Sequence, residues 1–215
     1  MNENIAKLQQ ALGGLDIDGD RGPKTTAAIL LAADQGRLQV VPGVVVAPIT
    51  DQTTLPWLQE LKAVWGLHEV HDHAKLLAWL WSDGHTVGDP AKLPWCGDAV
   101  ETAIRLALPQ EPLPGKLGAN PYFARNWEVF GVPGMYYGSV GVFERGPTSG
   151  HVGFLIGQND ANYFVFGGNQ GDKVGVVQID KGRLITARWP TTWPAPGRLL
   201  PVLETGTIPL SVNEV

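Results

Sequence analysis

One thiol, one imidazole and one carboxamide follow each other in an order suited to acyl transfer. Cys96, the only cysteine in 215 residues, lies in Leu93-Pro94-Trp95-Cys96-Gly97-Asp98, where a loop turns into a helix. Gly150-His151-Val152-Gly153-Phe154 comes next, then Gly167-Gly168-Asn169-Gln170. In the first turn of a helix, unpaired backbone N–H groups and the dipole favour an anion. The Cys96 thiol is therefore expected to ionise easily and to be a good nucleophile at neutral pH. Val100, Ala103, Ile104 and Ala107 share one stripe, and Cys96 precedes Val100 by one turn, so the sulfur should face the buried side. The competing reading is a small buried cysteine with no chemistry.

The strands that follow bear on that choice. If 151–157 and 163–169 form a hairpin closed by Gln158 to Asn162, with Gly157 opposite Tyr163, Val152, Phe154 and Ile156 share a core face with Phe164 and Phe166. That register places His151 opposite Asn169 on the other face, near enough for an amide oxygen to hold an imidazole N–H. Gly153 and Gly167 form the next pair there, leaving a hollow for a helix end or a substrate. The expected chemistry is attack of Cys96 on an amide carbonyl, with His151 taking its proton and returning one to the leaving amine. Asn169 would hold the ring tautomer, and the Cys96 backbone N–H would help stabilise the oxyanion. Alternatively His151 only caps a strand and Asn169 is a turn residue after two glycines.

The elements that must position these residues are legible from periodicity. Residues 4–36 read as a small helical unit, with Ile5, Leu8 and Leu12 at helical spacing and Gly13-Gly14 as a stop. Residues 41–56, rich in proline, read as a linker, although Val44-Val45-Val46 could be a short strand. Helices are expected over 55–66 and 74–81, with Leu58, Leu61 and Trp65 on one face and Leu77 and Trp81 on another. The Cys96 helix should run to about Leu108, and 121–130 should be one more helix. Short apolar runs at 139–144, 151–157, 163–168, 173–180 and 184–189 are expected to be five antiparallel strands. Helices first and strands afterwards is the α+β pattern. The expected division is a helical module over 1–40, a linker over 41–56 and a hydrolase domain over 57–215.

Bulk properties narrow the classes. A 44% hydrophobic content with eight tryptophans is enough for a core, so global disorder is not expected. Net charge is −5 with no basic run, which disfavours nucleic acid as the main partner. One cysteine cannot form an internal disulfide. The first residues lack a secretory profile and no apolar stretch could span a bilayer. A soluble protein made in the cytoplasm, without stable membrane insertion, is the expectation.

Residues from about 60 to 190 resemble the CHAP-type family of cysteine amidases and peptidases that cut bacterial peptidoglycan, through Pro94-Trp95-Cys96, Gly150-His151-Val152-Gly153-Phe154 and Gly167-Gly168-Asn169-Gln170. The resemblance implies a papain-like fold, a Cys96–His151–Asn169 site without cofactor or metal, and peptidoglycan as partner. Trp95, Gly153, Gly167 and Gln170 are the candidates to line a substrate cleft. Two departures stand out: Ala91-Lys92-Leu93 intervenes between Asp89 and Pro94, and Gly97 replaces the usual Ala or Ser after the cysteine. The N-terminal unit resembles the small helical peptidoglycan-binding module of wall hydrolases. Its Asp18-Gly19-Asp20-Arg21-Gly22-Pro23-Lys24-Thr25 loop makes Asp18, Gly19, Arg21, Gly22 and Thr25 the candidate wall-binding residues. The whole reads as a monomeric phage endolysin that accumulates in the host cytoplasm and acts on the wall once the membrane opens.

Other signals are weaker. Asp16, Asp18 and Asp20 suggest a calcium loop, but Arg21 takes the glycine position and Ala27 that of the bidentate Glu. His68-Glu69-Val70-His71 is one residue short of zinc-protease spacing. A glycosidase would need two converging carboxylates that sequence cannot identify. Rivals to the hydrolase are a non-catalytic wall-binding or phage structural protein, and a thiol acyltransferase or deamidase acting on proteins.

Overall fold

The computed structural model describes residues 39–41, 44–46, 55–196 and 200–202. The helical unit read over 4–36, with Asp18, Gly19, Arg21, Gly22 and Thr25, lies outside the described residues. The chain divides into two compact units, 1–53 with 201–203 and 54–200 with 204–215. In the first, Gln39–Val41 (β1) and Val44–Val46 (β2) pair antiparallel. Paired strands thus occupy part of the expected linker, where β-branched valines favour extended backbone.

The second unit is α+β. Pro56–Ala63 (α1) starts with proline at its first position, where a missing N–H costs nothing, and buries Trp57, Leu58 and Leu61. Trp65 falls beyond the helix end, is 56% exposed and lies against Phe166 with ring centroids 5.1 Å apart. His73–Leu80 (α2) buries Leu76 and Leu80, while Trp81 is exposed. In so apolar a helix, two adjacent stripes have the same spacing, and periodicity alone does not choose between them. Cys96–Ala107 (α3) buries Cys96, Ala99, Val100, Ala103 and Ile104, as its stripe predicts. Lys116–Ala119 (α4) is a single turn. Within 121–130, where one more helix was expected, Ala124–Val129 forms a 3-10 helix, with Trp127 Nε1 donating to Pro121 O at 2.7 Å.

Six strands form one antiparallel sheet: Val132–Pro133 (β3), Val140–Glu144 (β4), Gly150–Gln158 (β5), Asn162–Gly167 (β6), Gly175–Asp180 (β7) and Leu184–Trp189 (β8). Their spatial order is β3-β8-β4-β5-β6-β7. The two-residue edge strand β3 was not foreseen. Side chains alternate between two buried clusters, as the pleat requires. Val140, Val142, Val152, Phe154 and Phe166 join α1 to α3 on one side. Phe143, Leu155, Val165, Val177 and Ile179 make the other.

The β5–β6 hairpin corrects one detail. Gly157 pairs with Phe164 and Gln158 with Tyr163, while Phe154 pairs with Phe166 and Leu155 with Val165. The turn is tighter than expected because Asn159 Oδ1 accepts from the N–H groups of Ala161 (3.0 Å) and Asn162 (2.7 Å). A bulge at Ile156 absorbs the extra residue. The expected register is therefore restored from Leu155 toward His151. Among the described residues no helix is long and apolar enough to cross a membrane.

Candidate active site

Cys96 opens α3, with Trp95 as the residue before it and Asp98 in the first turn. Its position depends on two glycines. A Cβ on Gly97 would stand 2.4 Å from Tyr122 O and 2.6 Å from Pro121 O, so backbone from 121–122 passes where any other residue would put its side chain. That contact explains glycine after the cysteine. A Cβ on Gly168 would stand 2.3 Å from Trp95 Cζ3 and 2.6 Å from the Ala99 Cβ. Gly168 thus lets the chain leaving β6 press against the start of α3.

The sulfur lies within the helix-side cluster, and Cys96 is only 4% exposed. Burial pushes its thiol pKa up, and this outweighs the backbone N–H groups of Val152, Gly97 and Cys96 and the charge of Arg145, which pull it down. The expected easy ionisation is corrected here: the helix start does favour the anion, but loss of water opposes it more strongly. The influence of the Val152 N–H locates the sulfur beside β5, one residue along from His151. Leu155 N donates to Ser139 O near the start of β4, so the alternating N–H of Val152 faces the β6 side, beyond the end of that strand at Gly167. The thiol therefore sits at an open margin of the sheet.

His151 is fully buried and pairs across β4 with Phe143. Strand alternation gives its side chain the face of Gly153 and Leu155, while Val152 and Phe154 serve the helix side. The hairpin reading had already put the imidazole on this second face. The expected pairing with Asn169 is not formed. β6 ends at Gly167, and Asn169 has a φ of 55°, the left-handed conformation that asparagine tolerates best after glycine. Its backbone turns out of the ladder, and Gln170 returns instead.

Gln170 Nε2 stands 3.2 Å from His151 Nε2. The hollow left by Gly153 and Gly167 holds this carboxamide. A Cβ on Gly167 would be 2.7 Å from Gln170 Nε2, and one on Gly153 would be 3.5 Å away. Gln170 Oε1 is buried without a hydrogen-bond partner among the described residues. Turning the terminal amide by 180° brings that oxygen onto the imidazole, where it accepts from Nε2–H. In that arrangement Gln170 fixes the tautomer with Nδ1 as the basic nitrogen.

Trp95 is fully buried, and its Nε1 donates to Glu69 Oε2 at 2.8 Å. It is part of the packing around α3, not an exposed wall. The structure thus brings His151, Gln170, Gly153 and Gly167 together on one face at the end of β5, while Cys96 lies beside Val152 on the helix-side face, with Trp95 packed behind it and Asn169 in the turn. Sequence reasoning missed the role of Gln170 as the imidazole's partner. Its signal was the facing glycine pair, which makes room for a longer amide than asparagine offers. No family model, curated protein or solved structure matches the chain.

Proposed function

We propose that the chain is a cysteine amidohydrolase of papain-like, CHAP-type architecture, cleaving an amide or peptide bond in the peptide part of bacterial peptidoglycan as a phage endolysin does. The observation that supports this reading is adjacency along β5: a helix-start thiol beside Val152, and an imidazole at the next position, His151, held by Gln170 at 3.2 Å. The proposed reaction requires the His151 imidazole to reach the sulfur around the open margin of the sheet; its Nδ1 then takes the Cys96 proton as the sulfur bonds to the carbonyl carbon. The oxyanion forms near the Cys96 backbone N–H. Collapse breaks the C–N bond, and the amine leaves with the proton from His151. Water then adds to the thioester, gives its proton to the same imidazole, and releases the carboxylate and the thiol.

A second reading, a non-catalytic wall-binding or phage structural protein, is favoured by the burial of Cys96 and its raised thiol pKa. Purified sacculi separate the two. Loss of turbidity with the natural chain, abolished by Cys96→Ala in a folded protein, supports the hydrolase; no difference between them removes it. Mass spectrometry of the released muropeptides names the bond cut and distinguishes a deamidase or acyltransferase acting elsewhere.

A further inference from the structure

Asp98 and Glu101 lie on α3 roughly 140–200° around the axis from Cys96, at about 100° per residue. Glu101 meets Asp83 and His85 of the loop after α2: one ligand atom from each of Asp83, His85 and Glu101 lies within 4.8 Å of the others. The Asp83 and Glu101 side chains are each 1% exposed, while His85 is exposed. Among the described residues Arg105 is the cation paired with this group. Arg105 Nε lies 2.6 Å from Glu101 Oε1 and 3.8 Å from Asp83 Oδ2. Hydrogen bonds are nevertheless missing: Asp83 Oδ2, which is 3.8 Å from Arg105, Glu101 Oε2 and the nearby Asp98 Oδ1 are buried with no hydrogen-bond partner among the described residues.

Buried carboxylate oxygens without partners are costly, and a single guanidinium does not offset three acidic groups. An exposed imidazole at the mouth of such a pair is what an ion from solvent would need as a third ligand. We propose that Asp83, His85 and Glu101 bind a divalent transition-metal cation of the Zn²⁺ class, with water filling the remaining position. One imidazole nitrogen and two carboxylate oxygens suit a borderline ion, whereas Ca²⁺ takes six to eight oxygens. Ligand atoms about 2.1 Å from a tetrahedral ion stand about 3.4 Å apart, so side-chain rotation closes the present gaps. Arg105 keeps Glu101 Oε1 and leaves Oε2 for the metal. The backbone N–H of His85 already donates to Asp83 Oδ1 at 3.0 Å, holding the loop in place. The ion would tie this loop to the helix that presents Cys96, on the side away from the thiol.

The test is calorimetric titration of Zn²⁺ into chelator-treated Cys96→Ala protein, so that the thiol cannot take the ion. One saturable equivalent is expected, with a rise in the thermal midpoint on loading. His85→Ala, an exposed substitution compatible with folding, is expected to weaken binding at least about tenfold. Glu101→Gln is expected to do the same while keeping the Arg105 contact. Absence of a saturable equivalent, or undiminished affinity in His85→Ala, overturns the proposal. Binding lost in His71→Ala but kept in His85→Ala also overturns it, placing the ion at the His68–His71 pair, whose rings lie 4.5 Å apart. None of these readouts depends on hydrolytic activity.

Discussion

Gln170 and His151 meet at 3.2 Å over a floor made by two glycines, Gly153 and Gly167. The chain gets there by turning left-handed at Asn169, where φ is 55°, directly after β6 stops. The amide that orients the imidazole thus belongs to the residue after the turn, and the asparagine supplies the turn. The two adjacent amides have different tasks, and substitution separates them.

Under the hydrolase reading, Gln170→Ala is expected to lower hydrolysis by about 10- to 100-fold, the usual consequence of removing a group that orients a catalytic side chain. The pH profile should shift with it, because the tautomer and basicity of His151 change. Asn169→Gly, which suits positive φ at least as well, should leave both nearly unchanged. Turbidity assays of sacculi across pH check this pair. Equal damage from both, or damage from Asn169→Gly alone, would contradict the assignment.

Gly167→Ala makes an independent approach to the same contact. The added methyl would stand 2.7 Å from Gln170 Nε2, which is the mobile end of a side chain. The amide should swing away at modest cost to stability, with activity falling as in Gln170→Ala. Gly168→Ala is a contrasting case, since its methyl meets the Trp95 ring at 2.3 Å and the Ala99 Cβ at 2.6 Å, both fixed in the core. Overpacking there should destabilise the fold by about 1–3 kcal/mol or more, measured by denaturant unfolding.

The fold was legible wherever pattern and burial coincide. The α3 stripe from Cys96 to Ile104 and the alternation of Val152 and Phe154 each pointed to one side of a layer, and the main strands follow. Trp65 and Trp81 went the other way: each sits at or past a helix end, where an apolar residue continues the period without being covered. Which amide meets His151 was not readable, since a ladder extended by counting cannot know that β6 ends at Gly167. The sign of the Cys96 shift was also hidden. Helix-start stabilisation is visible in sequence, whereas the burial that outweighs it depends on how the helix start packs into the core, with the 121–122 backbone against Gly97 and Gly168 against Trp95 and Ala99.

Asp98 gives the fold a pH dependence. Burial raises its carboxyl from the ordinary 3.8 to about 7, against the hydrogen bonds from Thr86 and Val87 that lower it. The unfolded chain releases this proton near its ordinary value and the folded chain holds it, so the folded state binds more protons between the two. Stability contributed by Asp98 is therefore fully present below about pH 4 and declines as pH rises toward about 7, by at most about 4 kcal/mol. Asp98→Asn should flatten that part of the curve in chelator-treated protein, as followed by denaturant midpoints. An unchanged slope in the variant would assign the dependence to other groups.

The buried thiol makes the last prediction the most direct. Its pKa is raised by loss of water, so in the folded chain Cys96 is protonated at neutral pH and shielded. Alkylation by iodoacetamide should be slower than that of a free cysteine at pH 7 and should accelerate as pH rises through the alkaline range. The same shift means that folding stability attributable to Cys96 is present below its ordinary pKa and is lost at higher pH, a loss that Cys96→Ala should abolish. Under the hydrolase reading the proton leaves only when His151 accepts it during attack, and His151→Ala should abolish turnover while leaving slow alkylation nearly as it was. Rapid alkylation at neutral pH with a plateau in the acid range would instead indicate a resting thiolate–imidazolium pair and overturn the account of burial given for Cys96.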